Sequence, residues 1–306
     1  MAVTFIVAQP RPAQRLVFRP ARRVSWGTRI FTFLVLLLAI GTVGAFLLVV
    51  LPARVGELGR NEAHELSLAQ DEARTVDDQL VQLWADIAAS SGLALPPDRV
   101  TGVLNRAKAV ERQADDALAH AEAARTYLVQ ADGVPFQLHA PAFVAADQPR
   151  IQRLESGLQA AIRLAHGAFL QMTVAGHVQT DYATLSGQLM PSIQAGAWTP
   201  AARAASELQI RLKTDQQDSQ DPETLIDPLW AKWIDAMSSY AFNAQHYALA
   251  AAANDTRTAQ QLAKTMAANV DQMTAARAAA IAGGPAWQLQ TVKPLLDALD
   301  RSVNSL

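Results

Sequence analysis

The chain has no cysteine. Disulfide staples are therefore excluded, and any folded part must be held by its own apolar core. Period-two alternation and β-branched runs are also missing, which leaves no signal for a strand. Lysine is scarce, with five residues against 21 arginines, and alanine is abundant; that bias is associated with GC-rich bacterial genomes. The short signatures of common chemistry are missing too. There is no GxSxG, no P-loop, no GxGxxG and no HExxH, because His64-Glu65 is followed by Leu68 where a second histidine would stand. No catalytic, cofactor-binding or metal-ligating residue is expected from these motifs.

Charge is missing from one stretch in particular. Residues 30–51, IFTFLVLLLAIGTVGAFLLVVL, hold none, and they are fenced by Arg29 and by Pro52-Ala53-Arg54. At about 1.5 Å per residue they can cross a hydrocarbon core of roughly 30 Å. The run is longer than a signal-peptide core, and Leu51-Pro52-Ala53 puts leucine where a cleavage site wants a small residue. The expectation is an uncleaved transmembrane anchor in contact with lipid.

The first 29 residues lack any acidic residue but carry Arg11, Arg15, Arg19, Arg22, Arg23 and Arg29. The side rich in arginine stays in the cytoplasm. This reading makes 1–29 a cytoplasmic tail, places the anchor in the plasma (inner) membrane and leaves 52–306 extracytoplasmic. At about 29 residues the tail is too small for a signalling domain. The remainder has 20 basic against 28 acidic residues, which argues against nucleic acid as a partner. Gly41 and Ala45 form a small-xxx-small pair through which two anchors could associate.

Beyond the membrane every periodic segment reads as helix. Leu66, Ala69, Ala73, Val76, Leu80, Leu83 and Ile87 step by three and four, and so do Val100, Val103, Ala107, Val110, Ala114, Ala117, Ala121, Ala124 and Leu128. Two such stripes joined by a short proline-rich turn predict an antiparallel coiled-coil hairpin over 52–132. Residues 133–148 (GVPFQLHAPAFVAADQ) read as a loop with apolar residues that pack, among them Phe136 and Phe143. From Pro149 the helical period resumes, predicting a helical bundle over 149–306 with breaks at Pro191, at 215–224 and at Gly283-Gly284-Pro285. Thr199-Pro200 reads as a helix start, with threonine as cap.

Few residues point to a site. The six histidines show no metal-ligand spacing, since His166 and His177 lie about 16 Å apart along one helix. Asp77-Asp78 and Asp115-Asp116 are sequence neighbours that point to different sides. The aromatic stripe Trp230, Trp233, Tyr240 and Tyr247 is expected in the core, with a stacking groove as the functional alternative. With Phe136 and Phe143 it makes up the candidate interaction surface. The resulting expectation is a non-enzymatic, single-pass membrane-anchored scaffold or protein-interaction protein of the cell envelope, acting on protein partners or on further copies of itself. The alternative is an extracytoplasmic ligand-sensing module that signals through a partner.

Overall fold

The computed structural model describes residues 26–89, 97–135, 139–221 and 225–304. Among them there is no strand. The chain divides into two compact units, residues 1–54 and 55–306. The first unit contains helix α1 (Trp26–Ala45) followed by a π-helical turn, Phe46–Val50. None of the α1 side chains is buried. A helix apolar on every face, with no protein covering it, is long and apolar enough to cross a membrane.

The second unit takes in most of α2 (Leu51–Ala89) together with α3 (Pro97–Asp132), α4 (Ala142–Thr184), the single turn α5 (Met190–Gln194), α6 (Trp198–Ser219), α7 (Pro228–Ala252), α8 (Thr256–Thr291) and α9 (Lys293–Asn304). The positions that step by three and four on α2 and α3 are all buried, as one apolar stripe per helix requires. On α3 the stripe is mostly alanine, which lets neighbouring axes come close. Polar pairs mark the neighbours of each helix. Glu65 meets His120 at 2.6 Å and Asp86 meets Arg106 at 2.6 Å between α2 and α3. Arg125 meets Glu155 at 3.2 Å between α3 and α4. Gln209 Nε2 donates to Gln245 at 2.9 Å between α6 and α7, and Asn243 Nδ2 to Asn269 at 2.8 Å between α7 and α8. The end of α8 returns to α2, where Gln288 Nε2 donates to the Trp84 carbonyl at 3.3 Å.

Several expected breaks are not breaks. Helix α4 begins at Ala142, so Pro149 lies inside it and the loop before it is shorter than 133–148. Burial of Val144, packing of Phe143 and the Asp147–Arg150 pair at 3.2 Å hold the first two turns. Pro149 forfeits its own N–H bond to the Ala145 carbonyl and sets its ring against that carbonyl, a cost these contacts offset. Helix α8 likewise runs through Gly283-Gly284-Pro285 to Thr291. Gly283 packs closely on Leu229, whose Cδ1 would have to shift to admit a Cβ there. Helix α6 starts at Trp198 with no side-chain cap, so Thr199 does not cap it and Pro200 falls in the first turn, where no N–H is needed. It also continues to Ser219, into the stretch expected to link helices. Two turns use the left-handed backbone region, at Gly196 (φ +69°) after α5 and at Asn254 (φ +60°) before α8. Asp255 caps α8 by accepting from the Thr258 N–H at 3.1 Å.

Candidate functional site

The aromatic stripe lies inside the helical unit. Trp230 and Trp233 are each 1% exposed, and Tyr240 is also buried. Trp233 packs against the Tyr182 ring, 5.6 Å between centroids, with the Arg277 guanidinium 5.9 Å from its own ring. Arg277 also stacks over Tyr182 at 4.9 Å. Beside Trp230 there is a void of only about 10 Å³, too small for any ligand beyond a single water. Tyr247 is half-buried and meets Trp198 edge to face at 5.6 Å. Phe143 is half-buried on the first turn of α4, with its ring against Gly59 of α2. Phe136 lies outside the described residues.

A different place gathers chemistry. Helices α2, α8 and α9 enclose a groove of about 630 Å³. Its apolar surface comes from Val81, Trp84, Leu289, Val292 and Leu296, and four carboxylates surround it: Asp77 and Asp78 on α2, Asp297 and Asp300 on α9. One cation faces them, Lys293, whose Nζ bonds Asp297 at 2.8 Å. Val81 and Leu289 are exposed. Asp77 is the unusual member. It is 8% exposed, and its Oδ1 is shielded from solvent without a hydrogen-bond partner. Burial, helped by the charges of Asp300 and Asp78, pushes its carboxyl up to about 6. The Trp84 indole N–H is likewise buried and unbonded. An apolar surface beside convergent carboxylates can take a cationic, partly apolar group.

The helix pattern hid this groove for a definite reason. Asp77 follows Val76 on the flank of the α2 stripe, where charge is ordinarily solvated, and only a third helix turns that flank inward. A larger hollow of about 790 Å³ lies between α6 and α7, lined by Gln209, Lys213, Ser239 and Phe242 among others. It is open, of mixed polar and apolar lining, and no carboxylate lines it.

Three of the histidines pair with carboxylates across helices. His120 Nδ1 is 2.6 Å from Glu65, and His166 Nδ1 is 3.1 Å from Glu111. His177 Nδ1 is 3.5 Å from Asp215. The helices thus define an all-α protein with one candidate membrane-crossing helix and a groove rich in carboxylates. Comparison with protein-family models, curated proteins and solved structures found no match.

Proposed function

We propose that this chain is a single-pass, membrane-anchored helical interaction protein whose groove between α2, α8 and α9 docks a basic, amphipathic segment of a partner protein, with no catalytic chemistry of its own. The observation that carries the reading is the groove, where an apolar surface is ringed by four carboxylates against one lysine. Charge complementarity of this kind steers and orients a partner, and a basic amphipathic helix brings its own apolar face to such a surface.

The anchor is residues 30–51, held N-terminus inside by the six arginines before it. Residues 52–306 then stand outside the cytoplasm. Helices α2 and α3 form an antiparallel hairpin of coiled-coil type that carries one wall of the groove. That reading is supported by the order of their ion pairs, Glu65 with His120 and Asp86 with Arg106, and by their buried stripes. Self-association through Gly41 and Ala45 is compatible with this role.

A fluorescent peptide of Leu, Arg and Lys residues patterned as an amphipathic helix is the probe, with the full chain in neutral-lipid nanodiscs. Micromolar binding that weakens with salt is expected, with at least a tenfold loss in an Asp297→Lys/Asp300→Lys double variant, whose sites are exposed. Equal binding by the double variant would refute docking in the groove. A second reading, a sensor of a small cationic amphiphile, draws on the groove's 630 Å³, a volume in the range of small-molecule pockets. An alkyl-trimethylammonium compound that displaces the peptide and raises Tm would favour it.

A further inference from the structure

Helices α4 and α6 bring one imidazole and two carboxylates to a single point, away from the groove. His177 comes from α4, and Asp215 and Asp218 come from α6. One ligand atom from each lies within 4.8 Å of the other two. Asp215 is 2% exposed. Its Oδ1 is 3.5 Å from His177 Nδ1, and its Oδ2 is shielded from solvent with no hydrogen-bond partner. A buried carboxylate oxygen without a donor is unfavourable unless a cation accompanies it. The guanidinium on this seam is already used, since Arg211 Nε donates to Asp181 Oδ1 at 2.6 Å. The 3.5 Å separation is long for an N–H···O bond. It is close to the edge of a tetrahedron, about 3.4 Å, when metal–ligand bonds are ~2.1 Å.

We infer that His177, Asp215 and Asp218 form a site for a divalent transition-metal ion of the zinc class, clamping α4 to α6. The donor set selects the ion. Magnesium and calcium prefer all-oxygen shells, whereas an imidazole with two carboxylates suits zinc and its first-row neighbours. His177 is exposed and Asp218 half-exposed, so the ion enters from solvent and a water completes the fourth position. The spacing of His166 and His177 on one helix gave no hint of this, because the partners of His177 are aspartates about forty residues further on, brought in by the neighbouring helix.

The full chain, purified in detergent and stripped with EDTA, is titrated with Zn²⁺ in competition with a chromophoric chelator. One equivalent is expected to bind at micromolar Kd or tighter. Zinc at about 100 times Kd should raise Tm by about 5–10 °C. His177→Ala, at an exposed position that leaves the core intact, should abolish both effects, as should Asp215→Asn, with folding of each checked by far-ultraviolet circular dichroism. His64→Ala and His139→Ala, at exposed histidines elsewhere, should change neither. No binding by the parent chain, or retained binding in either site variant, overturns the assignment. Loss of binding in His64→Ala or His139→Ala would show adventitious surface zinc and overturn it equally.

Discussion

Asp77 is unfavourable for folding, and under the proposed docking role the same charge meets the basic segment. A carboxyl whose pKa is raised on folding holds its proton more tightly in the folded chain, so stability falls as pH rises from the unfolded value toward the folded one. For Asp77 that window runs from 3.8 to about 6, and the loss is on the order of 2–3 kcal/mol by pH 7.5. The groups that face it are Asp78 on its own helix and Asp300, Asp297 and Lys293 from the α9 side. Asp77→Asn should therefore stabilise the protein at pH 7.5 by roughly 1–3 kcal/mol and flatten its pH dependence between about 4 and 6, while weakening binding of the basic peptide. Guanidinium unfolding of the full chain at a series of pH values reads the first two effects. A variant no more stable than the parent at pH 7.5 would mean that the folded chain does not raise the Asp77 pKa. Glu62, 1% exposed and pushed up to about 7 mainly by burial with Asp147 adding to it, lowers stability over the same direction of pH, so the flattening should be partial.

At the scale of elements, one close contact depends on a glycine. Gly157 of α4 faces α9, and a Cβ there would collide with Ser302 and come within 3.5 Å of Leu299. Gly157→Leu should lower stability by about 1–3 kcal/mol through overpacking, more than the ~1 kcal/mol that leaving glycine recovers in helix propensity. Because α9 carries Asp297 and Asp300, the same change should also weaken peptide binding without touching a groove residue. Unaltered unfolding together with unaltered binding would show that α9 does not depend on this contact.

The elements also show what could be read in the chain. The stripes on α2, α3 and α7 were legible because burial enforces a three-four period, and each of their large members is packed where the period puts it. The punctuation was less legible. Pro149 looks like a helix start and Gly283-Gly284-Pro285 like a stop locally, yet α4 begins a turn and more earlier, where Val144 is buried, and α8 runs on to Thr291. The groove was not legible at all. It depends on which flank of α2 meets α9, and no periodicity within one helix encodes that.

For the whole molecule the arginine tail and the apolar stretch at 30–51 make a prediction about sidedness. Protease added to intact spheroplasts should degrade residues 52–306 and spare an anchor fragment of about 50 residues, seen by a tag at the N-terminus. Protection of the large part until the cells are lysed would reverse the orientation.

The hydrogen bond from Gln288 to Trp84 joins residues 204 apart in sequence, and this separation has a consequence for the order of events during synthesis. Helix α2 leaves the ribosome early, but its groove-facing flank stays bare until α8 and α9 have followed. A chain interrupted before residue 285 would carry most of its helices yet leave Trp84, 2% exposed in the finished fold, uncovered on that flank, an apolar flag by which an incomplete product can be recognised and removed. Completion of the groove is thus a report that the last helices have arrived, and under the proposed docking role the partner would meet only finished chains.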